Sequence, residues 1–69
     1  MAPPGIVTDV TVENHGSLFL FRPHTPHADN WIDIWLDPDA QRIGGAVVVE
    51  HRYALDTAGM MLADGLVVA

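Results

Sequence analysis

The sequence predicts a small α+β domain: an antiparallel sheet of three or four strands with two helices on one face. Three observations lead there. Residues 6–13 alternate apolar and polar side chains with a period of two, the pattern of a half-buried strand. After Thr25-Pro26 the apolar side chains recur at helical spacing. A Val-rich run at 46–51 supplies a further strand, expected to be central. The expected order is β-β-α-β-α, with room for a short final strand.

Residues 1–5, a Pro/Gly stretch, read as a flexible leader, and 6–69 as a single domain. In the first strand Ile6, Thr8, Val10 and Val12 fall on one side. Asn14-His15-Gly16 is a turn, where Gly accepts the positive φ of a tight hairpin. Residues 17–22 form the second strand, with four consecutive apolar positions, Leu18 to Phe21. Such a run implies burial on both faces, or a second face covered by a partner. Thr25 is a good helix N-cap and Pro26 suits the first helical position. Trp31, Trp35, Ala28, Ile32 and Leu36 share one helix face, expected in the core, with Ile34 at its exposed margin. Asp37-Pro38 stops this helix, because a residue before proline avoids the helical region. Residues 39–45 read as a connection. Residues 56–64 form a second helix, weakened at Gly59 and capped by Gly65. Leu66-Val67-Val68 is a tail or a short edge strand.

The 69 residues hold nine Asp or Glu against three Arg, with no Lys and no Cys, for a net charge of −6. A domain this small buries only about 60% of its unfolded surface, so its stability is marginal. Without Cys, neither a disulfide nor a thiolate metal site is available. The apolar runs are too short to span a bilayer, and the N-terminus lacks the features of a signal peptide. A soluble, intracellular (cytoplasmic) protein is expected. The acidity disfavours DNA, RNA and anionic membranes as direct ligands and favours a basic protein partner.

Signatures of catalysis are weak. Ser17 lacks the nucleophile-elbow pattern. Gly44-Gly45 leads into a strand rather than cradling phosphate at a helix. Glu50 and His51 are adjacent, and neighbouring strand residues point to opposite faces. His24 and His27 form an H-x-x-H whose rings need not converge on a metal. The chain is therefore expected not to be an enzyme and to carry no cofactor or metal.

The carboxylates form the main constellation. Asp29, Asp33 and Asp37 recur every fourth residue, about 6 Å apart along a helix axis, and Asp39 extends the row. No base at i+4 relieves them. To a groove that detects charge and rough spacing, such a row resembles a run of phosphates; an ordinary solvated face is the alternative. Glu13, Asp9 and Glu50 are expected to contribute if the sheet edge takes part. Trp31 and Trp35 are either core or a hot spot for a protein partner.

The segment Val10-Thr11-Val12-Glu13-Asn14-His15-Gly16-Ser17-Leu18-Phe19-Leu20-Phe21-Arg22-Pro23, with Thr25-Pro26, has a family look. So do Ala40-Gln41-Arg42-Ile43-Gly44-Gly45-Ala46-Val47-Val48-Val49-Glu50-His51-Arg52-Tyr53, Gly59-Met60 and Asp64-Gly65-Leu66. Together they resemble a family of short bacterial proteins found in chromosomes and on mobile elements, most without an assigned function. In general character the chain also resembles an anti-CRISPR protein directed at a type I system, type I-C first. That resemblance implies occlusion, in which an acidic surface occupies the basic site where a Cascade-type complex recognises target DNA. A different class stays open: a structural or interaction module that homodimerises or docks through its apolar and Trp surface.

Overall fold

The computed structural model describes residues 7–69. The expected leader, 1–5, and Ile6 lie outside the described residues. The elements are β1 (Val10–Asn14), β2 (Leu18–Pro23), α1 (Pro26–Trp35), β3 (Arg42–Ile43), β4 (Ala46–Glu50) and α2 (His51–Ala63). The four strands form one antiparallel sheet in the order β1-β2-β4-β3. The α+β class and the central place of the Val-rich strand are as the sequence predicts. β3 is the addition.

β1 pairs with β2 through the expected turn. Gly16 has φ +83°, and its N–H donates to the Asn14 side chain at 2.9 Å. The register sets Val12 against Phe21, and Phe21 against Val47 of β4. These side chains share the inner face. Val10, Phe21 and Val47 are buried there with Ala28, Trp31 and Ile32 of α1, Ala54 and Met61 of α2, and Leu66. Both helices therefore cover the same face of the sheet. Leu18 and Leu20 point the other way; Leu20 is still buried, whereas Leu18 is 39% exposed.

The first strand starts at Val10, four residues later than its alternation suggests. Asp9 has other partners: its N–H and that of Val10 both donate to the Val67 carbonyl, and its own carbonyl accepts from His24 N–H. The C-terminal tail consequently runs beside β1, with one parallel bridge between Val10 and Val68. That bridge is the short final strand in its smallest form.

α1 starts as predicted. Thr25 is extended and its hydroxyl accepts from Ala28 N–H at 3.1 Å, with Pro26 in the first helical position. The helix ends at Trp35, two residues early, because Leu36 is already extended at ψ 158°. Asp37 then accepts the Asp39 N–H on its own side chain at 2.8 Å. Such a local side-chain turn competes with another helical turn. Trp35 is 58% exposed rather than core: it is the last residue of the helix, and its ring lies tilted against that of Trp31, at 6.4 Å between centroids.

Two further corrections concern the second half. The expected connection over 39–45 contains β3 and a hairpin. Gly44 and Gly45 have φ +55° and +85°, the pair of positive values that a two-residue type I′ turn requires. α2 begins at His51, five residues before the predicted start. It follows β4 without a loop, and Glu50 caps it with no side-chain hydrogen bond, so no N-cap residue marks the boundary. Thr57 satisfies its buried hydroxyl on the Tyr53 carbonyl at 2.9 Å. Gly65, at φ +86°, ends the helix as expected.

Candidate partner-binding surface

α1 presents Asp29 and Asp33 one turn apart on its exposed side, as their spacing requires. The hairpin between β3 and β4 then brings Arg42 beneath them. Arg42 pairs with Val47 in the sheet register and so points to the helix side. Its guanidinium lies 3.0 Å from Asp33 and 3.6 Å from Asp29. No base stands at i+4 of the helix, as expected, but Arg42 supplies one from another strand. All three side chains are substantially exposed, so these ion pairs add little stability. Their effect is on charge, turning two adjacent anions into a clamp of net −1.

Asp37 does not continue the helical stripe, because α1 has ended. It stays beside Asp33 nonetheless. Both line a hollow of about 350 Å³ with Ile32, Leu36, Pro38, Arg42 and Val47. Asp39 follows through its N–H bond to Asp37. Asp29, Asp33, Asp37 and Asp39 are therefore brought to one region, bent where a straight row was expected.

The other three predicted contact residues lie elsewhere. Asp9 is a structural clamp. Its carboxylate accepts from Val67 N–H at 2.8 Å and from the Thr25 hydroxyl at 2.7 Å. The Val67 bond first, then the Thr25 bond, holds its pKa below the ordinary carboxylate range, helped by the charge of His27. Glu13 accepts from Arg22 Nε at 2.8 Å, and its pKa is lowered by that bond and by His15. Glu50 pairs with Arg52 at 3.0 Å. Glu13 and Glu50 share the outer face of the sheet through their partners Leu20 and Leu18, away from α1.

The histidines do not gather. His24 Nε2 bonds Thr11 Oγ1 at 2.6 Å, and His51 starts α2 with its ring 5.7 Å from that of Phe19. Among the described residues no group of three or more His, Asp or Glu is placed to hold a metal ion. No described helix is long and apolar enough to cross a membrane. The chain was compared with protein-family models, curated proteins and solved structures, and none matches it.

Sequence reasoning missed Arg42, whose role depends on a two-residue strand. It also missed Asp64, which accepts the Trp31 indole N–H at 2.6 Å across 33 positions. A buried Trp implies a partner for its N–H, so a search for an acceptor was warranted, though nothing in the spacing names Asp64.

Proposed function

We propose that this protein is a non-enzymatic inhibitor that binds a nucleic-acid-handling protein by charge mimicry. Asp29, Asp33, Asp37 and Asp39 would enter the partner's basic groove in place of phosphates. The observation that carries the reading is the run of these four exposed carboxylates from the first turn of α1 to its exit, with Arg42 held between Asp29 and Asp33. The partner proposed first is a DNA-recognition subunit of a type I Cascade complex, type I-C foremost, in the bacterial cytoplasm. That choice of partner rests on the resemblance in general character to anti-CRISPR proteins; the acid cluster and the lack of lysine support only the partner's basic chemistry. Asp9, Glu13 and Glu50 are left out of the proposed contact set because they lie apart from this cluster: Asp9 holds Val67 and Thr25, and Glu13 and Glu50 stand on the outer face of the sheet.

A second reading has its own support. Leu55 is 87% exposed and Leu62 58%, and their spacing of seven residues puts both on one face of α2, an apolar stripe that fits an interaction module docking without charge. The two readings separate in one experiment. Wild type and the Asp29→Asn/Asp33→Asn/Asp37→Asn variant are used to pull partners from a type I CRISPR-bearing bacterium at several salt concentrations. Recovery of a nucleic-acid-binding protein by wild type alone, fading as salt rises, supports mimicry. Equal recovery by both proteins sinks it and favours the apolar module.

A further inference from the structure

The acid cluster ends where a trough begins. β3 is only two residues long, and its pairing with β4 stops at the bond from Val48 N–H to the Gln41 carbonyl. Beyond that point the edge of β4 is left to the chain leaving α1 on one side and to α2 on the other. Between them lies a trough of about 470 Å³ lined by Leu36, Ala40, Val47, Val49, Tyr53 and Met60 among others. Tyr53 and Met60 are seven residues apart on α2, hence on one face of the helix, and each is about half exposed. Asp37 contributes to one wall and Asp56 to the other.

Neither Asp37 nor Asp56 makes an ion pair among the described residues. Each of the three arginines is already paired elsewhere: Arg22 with Glu13, Arg42 with Asp29 and Asp33, and Arg52 with Glu50. An apolar floor between two unanswered carboxylates selects one chemistry. A second copy of a chain of net charge −6 would bring more anions to the rim. A small molecule would stay largely wet in a trough open along its length, whereas small-ligand sites bury most of their ligand. We infer that the trough takes a segment of the partner protein in which one or two large apolar side chains are flanked by Arg or Lys. The apolar anchor sits against Met60 and Tyr53, and the cations meet Asp37 and Asp56. The inference rests on the proposed acidic binding surface and adds to it the apolar anchor that its partner must carry.

The test uses two synthetic peptides of equal positive charge, one arginine-rich with two leucines, the other with those leucines replaced by serine. Each is titrated into the isotope-labelled full chain and followed by amide chemical shifts. Binding of the leucine peptide at least about tenfold tighter, with shifts centred on Leu36, Val49, Tyr53 and Met60, is the expected result. Met60→Ser and Asp37→Asn/Asp56→Asn should each weaken it several-fold; the charge variant serves if Met60→Ser does not fold. Equal affinity of the two peptides, with shifts at Asp29 and Asp33, would overturn the trough and leave the acidic surface standing. Binding of neither would overturn both. Leucine-peptide shifts centred on Leu18 or Leu55, or self-association of the unliganded chain through Tyr53 and Met60, would also overturn the trough.

Discussion

Replacing Asp9 with Ala should destabilise the domain without touching the proposed contact surface. The Asp9 carboxylate accepts two hydrogen bonds, from Val67 N–H and the Thr25 hydroxyl. It thereby ties the C-terminal tail to the residue that caps α1. A bond to a charged acceptor contributes about 1.5–3 kcal/mol when well shielded. Asp9 is only half-buried, so solvent screening reduces the pair to roughly 2 kcal/mol in total. In a domain of this size that is a fall in Tm of roughly 8–16 °C. The backbone bonds from Asp9 and Val10 N–H to the Val67 carbonyl survive the substitution, so the loss stays partial. Asp9→Asn keeps one acceptor oxygen for two donors and should cost about half as much. The effect has a pH signature. Because the folded pKa is depressed, the stabilisation is fully present above the unfolded value, about 3.9, and is lost as pH falls through the folded value. Thermal unfolding by circular dichroism at pH 7 and at successively lower pH measures both quantities. An Asp9→Ala Tm within about 2 °C of wild type at pH 7, or a difference that persists unchanged under acid, would refute the clamp.

Three further outcomes follow from the same geometry. Trp31→Phe keeps most of the buried ring but loses the indole N–H bond to Asp64, and should cost about 1 kcal/mol in denaturant unfolding. Gly45→Ala and Gly59→Ala should shift stability in opposite directions, although an added Cβ meets nothing within 4 Å at either site. Gly45 holds a positive φ and should lose about 1–2 kcal/mol, while helical Gly59 should gain about 0.5–1 kcal/mol, both read from unfolding midpoints. Arg42→Gln should leave stability within about 0.5 kcal/mol yet tighten binding of the arginine-rich serine peptide and steepen its salt dependence, because it unmasks Asp29 and Asp33.

What the sequence made legible was whatever short-range chemistry enforces. The alternation around Val10 and Val12, the Gly16 turn, the Thr25-Pro26 start of α1 and the Gly65 stop each depend on a few neighbouring residues, and each is where it was expected. The errors share a different cause. β3 has two residues, too few to show a period, so only the twin positive φ of Gly44 and Gly45 marks it. α2 starts without a capping side chain because β4 delivers the chain directly into it. Trp35 has the right helical angle for the core but is the last residue of the helix and is left exposed, whereas Trp31, one turn earlier, is buried. Angle alone is no guide to burial at a helix end.

The same division runs through the candidate surface. Spacing correctly placed Asp29 and Asp33 on one side of α1, since that follows from helix geometry alone. It could not reveal that Arg42 would sit between them, that Asp37 would leave the stripe yet stay beside Asp33, or that Asp9 would be spent on Val67 at the far end of the chain. Each of these depends on which strand lies next to which. An acid counted in the sequence is a charge available to a partner only if the fold has not already used it. Of the seven predicted contact residues, Asp9, Glu13 and Glu50 are used within the fold, and Asp29 and Asp33 share one arginine. Asp37 and Asp39 make no ion pair among the described residues. The surface that the proposed basic partner would meet is therefore weighted toward the exit of α1, where the trough opens, rather than along the helix itself. That displacement makes Asp37 a more sensitive position than Asp29 in any binding measurement, the reverse of what a uniform phosphate-like row would give.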